Sequence, residues 1–326
     1  MPTDVIARFA SQRVLVIGDL MLDEFIWGKV SRISPEAPVP VVDVTGESYY
    51  AGGAANVARN LREFTAHTSV MGLTGCDPYG DRLCGLLAAS GIDARGVQRA
   101  ETSTIVKTRI VARNQQVVRV DRERTAPLTA IQLDRAKRDL EAAIPGIDGI
   151  VVADYGKGFL NQELADFISV KAREHGKLLT VDPHPYTSLM WRGAAAIKPN
   201  RIEVFSAAGI SLTAAVDPPV KDAGLAGAVE KLLRSWQPEN LLVTLGEQGM
   251  LLFDGGAAPH HIPACAKEVF DVSGAGDTAI AVLTLGLLAG AGAREAADLA
   301  NRASGIVVGK LGTATVTPAE LLASLG

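Results

Sequence analysis

The segment Phe270-Asp-Val-Ser-Gly-Ala-Gly-Asp-Thr278 joins a backbone able to hold an anion to a carboxylate able to take a proton. Gly274 and Gly276 stand just before a long helical pattern. Glycine there lets the N–H groups of Gly274, Ala275 and Gly276 converge at a helix N-terminus. The first amides of a helix lack internal partners and its dipole is positive at that end, so the turn favours a phosphate. Asp277, beside this cradle, is placed to accept a proton from an attacking hydroxyl while the amides stabilise a transferring phosphoryl group. The plainer use of Asp277 is helix capping.

In Lys198-Pro-Asn-Arg-Ile-Glu203, Asn200 and Glu203 are three positions apart and share a face of a helical turn. A neutral amide oxygen with one carboxylate suits Mg²⁺ held mainly through water and nucleotide phosphates. The same pair also reads as a capping box, and the two uses are compatible. The glycines of Thr244-Leu-Gly-Glu-Gln-Gly249 (Gly246 and Gly249) permit a close loop over a planar or phosphorylated ligand, or an ordinary turn between strands. Asn301, Ser304 and Gly305 fall on the last long helical pattern, with packing as their default use.

Near the other end, Asp19 and Asp23 follow the first apolar run, and Ala51-Gly-Gly-Ala-Ala-Asn56 opens a helix. Asp19, Asp23 and Asn56 suit sugar hydroxyls, and Gly52 and Gly53 let backbone approach a ligand. Arg109, Arg113 and Lys157 are the nearby cations that a phosphorylated substrate needs, though each alone reads as a surface charge. The glycines lack the third member of G-x-G-x-x-G and do not directly follow the first strand, which excludes a dinucleotide fingerprint. Gly156, Gly176 and Gly309 precede lysines with no Ser or Thr after them, so no P-loop exists. His260 and His261 are adjacent and point apart on a strand, no His/Cys cluster has zinc spacing, and no G-x-S-x-G elbow occurs.

Positioning these groups requires an alternation of apolar strands and helices. Strands are expected at 13–19, 69–73, 149–154, 177–182, 194–198 and 240–245. Helices are expected at 54–64, 79–89, 129–143 and 162–174, with two more after Gly274. Continuous apolar strands between helices imply an α/β layered fold: a mostly parallel sheet with helices on both faces. Two half-exposed β stretches, at about 24–50 and 104–122, interrupt the pattern. In the second a hairpin turn fits at Asn114-Gln115, with Val106, Thr108, Ile110 and Ala112 on one face and Lys107, Arg109 and Arg113 on the other. They suggest a small β-sheet lid over the strand ends where open α/β folds bind ligands, with a plain surface hairpin as the alternative. No repeat or linker divides the chain, so 1–326 reads as a single domain.

The chain has 326 residues, 48% hydrophobic and 21% charged, with 32 basic against 36 acidic side chains. A net charge of −4 offers neither a nucleic-acid-binding tail nor a polybasic membrane patch. Cys76, Cys84 and Cys265 form no disulfide framework and read as reduced thiols. The opening residues lack the apolar centre of a secretory signal, and Thr278–Ala293 is short of the ~20 apolar residues of a spanning helix. A cytoplasmic protein is expected.

Gly52-Gly-Ala-Ala-Asn56 and Asp271-Val-Ser-Gly-Ala-Gly-Asp277, at this separation, resemble the two signatures of the ribokinase-like, or phosphofructokinase-B, carbohydrate kinases. The resemblance covers nearly the whole chain. Within the family, Ser31–Val41, Arg113–Arg119 and Val308–Thr315 are similar to the branch that phosphorylates a heptose 7-phosphate on the route to ADP-heptose. Many members of that branch carry a C-terminal adenylyltransferase; here the stand-alone form is expected. The resemblance implies that Asp277 is the base and that Gly274, Ala275 and Gly276 form the anion hole. It implies that Lys198, Asn200, Arg201, Ile202, Glu203, Thr244, Gly246, Gly249, Asn301 and Ser304 serve ATP, with Asn200 and Glu203 toward Mg²⁺. Asp19, Asp23, Gly52, Gly53, Asn56, Arg109 and Lys157 then serve the sugar phosphate. A monovalent cation is an open further requirement, and a homodimer through the lid is implied. Relatives often carry Asp-Pro-Lys where this chain has Asp182-Pro183-His184, so Lys157 or Arg109 is expected to compensate.

Overall fold

The computed structural model describes residues 2–326 apart from Asn114, Tyr186, Ser188, Gly256, Ala257, Lys267, Glu268 and Leu311. Asn114 of the expected hairpin turn and Leu311 of the third heptose-kinase-like segment therefore lie outside the described residues. The strands are β1 (Val14–Gly18), β2 (Leu20–Ile33), β3 (Pro40–Gly53), β4 (Thr68–Gly75), β5 (Asp93–Ala100), β6 (Val106–Ala112) and β7 (Gln115–Arg122). They continue with β8 (Gly149–Ala153), β9 (Leu178–Asp182), β10 (Ala196–Ile197), β11 (Leu241–Thr244), β12 (Met250–Phe253) and β13 (His260–Ile262). The helices are α1 (Pro2–Ala7), α2 (Ala54–Arg62), α3 (Pro78–Ala89), α4 (Ala130–Ala143) and α5 (Gln162–Glu174). They are followed by α6 (Arg201–Ala207), α7 (Ala223–Trp236), α8 (Ala275–Leu288), α9 (Ala293–Val307) and α10 (Pro318–Ala323).

Among the described residues a nine-stranded sheet runs β13-β12-β11-β10-β9-β8-β1-β4-β5. It is parallel from β5 to β11, and β12 and β13 add an antiparallel edge. Alternate strand residues face opposite ways. Val14 and Val16 enter a core with α2, α8 and α9. Leu15 and Ile17 enter a second core with α4, α5 and α7. Covering both faces is why the strands read as unbroken apolar runs, each buried aliphatic side chain contributing about 1.5–3 kcal/mol.

A separate sheet, ordered β3-β2-β6-β7, is the expected lid. Its strands start closer to the core than the expected 24–50, because β2 continues almost directly from β1 and β3 runs into α2. Gly18 at this junction has no alternative: a Cβ there would lie 2.0 Å from the Ala153 carbonyl oxygen. Helix starts follow local chemistry. Asp77, Thr129, Asn161, Asn200, Asp222 and Thr317 each cap a helix with a side-chain oxygen. The apolar run after Asp277 is buried as α8, where Gly286 allows close packing on Ala296 of α9. Among the described residues no helix is long and apolar enough to cross a membrane.

Candidate active site

Helices α2 and α8 bring the two glycine signatures together. The Thr278 hydroxyl donates to Asn60 Oδ1 at 2.7 Å in the buried contact between them. Both helices begin on a left-side-φ glycine without a side-chain cap: Gly53 at +59° and Gly274 at +82°. Neither first turn is closed by a side-chain oxygen, in contrast to the capped helices; the Ala54 amide donates instead to the Asp19 carbonyl at 3.0 Å.

Asp277 lies in the first turn of α8. Asn56 Nδ2 donates to its Oδ2 at 2.6 Å, and the Tyr155 hydroxyl donates to its Oδ1. Each carboxylate oxygen thus has a fixed donor and a lone pair left over. Burial pushes the Asp277 pKa up to about 6, against the pull of the Tyr155 and Asn56 hydrogen bonds and with help from the Asp182 charge. Of the three expected anion-hole amides, that of Ala275 donates to the Val272 carbonyl at 3.3 Å, a long bond that an anion would have to displace. Gly276 sits opposite a cation: a Cβ on it would lie 3.5 Å from Lys198 Nζ.

Lys198 is buried at the end of the strand that carries it, 2.9 Å from Asp182 Oδ1. Burial opposes its charge, but Asp182 and Glu203 outweigh that and hold its pKa above the ordinary value. The cation facing the glycine turn is therefore Lys198. Neither expected stand-in for the missing lysine is free for that place. Arg109 is ion-paired with Asp23 across the lid, and Lys157 is paired with Glu123 at 2.9 Å.

Asn200 and Glu203 form the reciprocal box. Asn200 Oδ1 accepts from the Glu203 amide at 3.0 Å, and Glu203 accepts from the Asn200 amide and Nδ2 at 2.7 and 2.6 Å. Thr244 pairs with Asn200 as an isolated parallel bridge, which sets it beside the same turn. Asp154, Asp182, Glu203 and Asp277 are each held above the usual carboxylate range, burial being the main cause. Mutual repulsion adds to it, and Lys198 is the cation that several of them share. This surplus of buried negative charge fits a divalent cation. Among the described residues no three His, Cys, Asp or Glu side chains form a ready cage, so such an ion would be held largely through water and phosphates.

Other expected contacts have local duties. Arg201 turns away to Asp222 (2.7 Å) and to the Thr213 and Ala214 carbonyls, so it secures the 213–222 segment instead of a nucleotide. Ile202 is exposed. Gly249 is required by the β11–β12 turn, where a Cβ would lie 2.1 Å from the Ile262 oxygen, and Gly246 opens that turn at φ +60°. Asn301 donates to the Pro263 carbonyl and Ser304 to that of Ala275, both packing roles.

On the sugar side, Asp19 accepts from the amides of Tyr155, Lys157 and Phe159, each at 3.0 Å. Its first task is to shape the 154–159 loop. Gly52 is bare because Asp23 Oδ2 lies 2.4 Å from where its Cβ would be. Arg113, at the tip of the hairpin, donates to the Val30 carbonyl within the lid. The residue that sequence reasoning misses is Tyr155, whose only signal is its place just before Gly156 and Gly158 in the loop after β8.

The chain is 44% identical over 322 residues to "Bifunctional protein HldE" of Desulfatibacillum aliphaticivorans, covering 98% of this chain and 64% of that one. It is 45% identical to the protein of the same name from Magnetococcus marinus, covering 97% and 64%. The chain thus spans about 64% of the length of these curated relatives. Among solved structures, Escherichia coli phosphofructokinase-2 in complex with potassium superposes with a TM-score of 0.74 at 18% identity, over 96% and 97% of the two chains. Arabidopsis thaliana ribokinase complexed with ribose and ATP gives 0.70 at 16% identity, over 96% and 98%. These two share the fold. The family model for pfkB carbohydrate kinases matches residues 11–320, and the chain belongs to that family.

Proposed function

We propose that residues 1–326 form one kinase domain that transfers the γ-phosphoryl group of ATP to O1 of D-glycero-β-D-manno-heptose 7-phosphate, giving the 1,7-bisphosphate for ADP-heptose and lipopolysaccharide core synthesis. The observation that carries the kinase chemistry is Asp277, held by Asn56 and Tyr155 at an uncapped helix start that faces Lys198. The heptose assignment is supported by where the three resembling segments lie. Ser31–Val41 runs through the lid strands and Arg113–Arg119 through its hairpin, and in the third segment the Thr313 carbonyl accepts from Arg59, whose guanidinium also donates to Asn56.

In this reading Asp277 takes the proton of the acceptor hydroxyl, which becomes the nucleophile toward the γ-phosphorus. Tyr155 and Asn56 keep the carboxylate aimed. Lys198 and the amides of Gly276 and Asp277 oppose the charge that develops on the transferred group. Asn200 and Glu203, with Asp182 nearby, are the residues that would hold Mg²⁺ through water; the ion supplies charge neutralisation on the nucleotide phosphates. Closing of the lid over the acceptor excludes water and suppresses ATP hydrolysis. Exposed Trp27, Ile33, Val44, Val118 and Val120 on the lid support a homodimer through that sheet. A cytoplasmic site of action suits an ATP-consuming enzyme with three free thiols.

The test is ATP consumption, followed by coupled ADP release, across sugars and sugar phosphates. Heptose 7-phosphate is expected to be the best acceptor by kcat/KM. Robust turnover of ribose, a nucleoside or a fructose phosphate with none of the heptose would overturn the substrate, and no turnover with any sugar would leave a sugar-phosphate sensor.

A further inference from the structure

We infer that the cavity between the lid hinge and the 154–159 loop seats the non-reacting phosphate of the acceptor, with Arg124 as its principal cation and Lys157 beside it. This rests on the reading of the chain as a kinase for a phosphorylated sugar. The cavity encloses about 330 Å³, a size for part of a small ligand, and Asp19, Thr102, Ser103, Arg124, Lys157 and Phe159 are among its walls.

Two features fix the walls. Gly158, at φ +102°, has no side chain because a Cβ would lie 2.3 Å from the Ala126 carbonyl oxygen. The 124–127 segment therefore lies directly on the 154–159 loop, which carries Arg124 and Lys157 to one cavity. On the other side Asp77 accepts from the Thr104 amide at 2.7 Å and the Thr104 hydroxyl at 2.6 Å, holding the segment with Thr102 and Ser103 in place.

Charge pairing selects Arg124. Arg109 is taken by Asp23, Arg122 by Glu24 at 3.4 Å, and Lys107 lies 3.6 Å from Asp121. Lys157 is shared with Glu123. Among the described residues Arg124 has no such carboxylate partner. Its planar guanidinium suits two oxygens of a phosphate, and the hydroxyls of Thr102 and Ser103 offer neutral donors. The carboxylates on the wall are Asp19, already answered by three backbone amides, and Glu101 at the exposed edge.

The same loop links the cavity to the reactive end. Tyr155 donates to Asp277, while Lys157, two residues on, lines the cavity. Two residues span at most about 7 Å between Cα atoms. In this proposal a six- or seven-carbon acceptor with its hydroxyl at Asp277 lays its far end along this loop, toward Arg124.

The experiment measures initial rates of the full chain with heptose 7-phosphate and ATP for wild type, Arg124→Ala and Arg124→Lys. Because Arg124 is exposed and unpaired, both variants are expected to fold. Arg124→Ala should raise KM for the sugar phosphate at least tenfold, as loss of a charge-assisted contact does, with KM for ATP within about twofold. Arg124→Lys should recover part of the loss. If heptose 7-phosphate is a good substrate and Arg124→Ala leaves its KM unchanged, the phosphate seat is wrong while the kinase assignment stands. If wild type uses only unphosphorylated sugars, both fall together.

Discussion

Replacing Asp277 by Asn exchanges one carboxylate oxygen for an amide NH2 and separates the chemistry of this carboxylate from its packing. The wild-type oxygens receive Asn56 Nδ2 and the Tyr155 hydroxyl. An Asn can keep its oxygen toward Asn56 and its amide toward Tyr155, whose hydroxyl rotates to accept, so the site stays filled. What disappears is the proton acceptor. General-base catalysis by a positioned side chain is worth 10²–10⁴-fold, so kcat should fall by roughly that factor, a barrier increase of about 2.7–5.4 kcal/mol. Stability should move the other way. Folding raises the Asp277 pKa from 3.8 to about 6, so the ionised form opposes folding. That cost is absent below the unfolded pKa, grows as pH rises through the interval, and is full above about 6. At pH 8 it amounts to no more than about 3 kcal/mol, at 1.36 kcal/mol per unit, and Asn removes it. The assay pairs ADP release at saturating substrates with urea unfolding at pH 8. Wild-type kcat should also drop as pH falls through about 6, a limb the variant lacks. A variant turning over within tenfold of wild type, or one clearly less stable at pH 8, would refute this reasoning.

Tyr155→Phe removes a hydrogen bond that lowers the Asp277 pKa, so the acid limb of the kcat profile should move to higher pH while the fold persists, as read by a pH–rate series and a melting curve. Gly276→Ala places a methyl 3.5 Å from Lys198 Nζ, an ordinary contact for the protein but an obstruction where a phosphate would lie. ATP affinity by calorimetry should fall at least tenfold, with Tm unchanged or slightly raised because Ala is the better helix former by about 1 kcal/mol.

Much of the fold is legible because buried parallel strands leave a local mark. The runs at Val14–Gly18, Gly149–Ala153 and Leu178–Asp182 are apolar on both sides because helices cover both faces. Strand β5 leaves no such mark: Asp93–Ala100 lies at the sheet edge with charged residues along it. Helix α7 stands in a stretch, 223–236, where no element is expected, although Asp222 caps it and Leu225, Val229 and Leu232 form its buried stripe.

The sequence by itself determined the α/β layering, the lid strands and the glycine–aspartate turn, because each depends on neighbours a few residues away: alternation, β-branching, and the need for glycine where φ is positive. Tertiary structure alone decided which side chains face one another. Tyr155 and Asn56 reach Asp277 across 122 and 221 positions of chain. Arg109 is claimed by Asp23 and Arg201 by Asp222, while Lys198 is left at the glycine turn. A charged group takes whichever partner the packed elements bring within about 3 Å, and no local periodicity encodes that meeting.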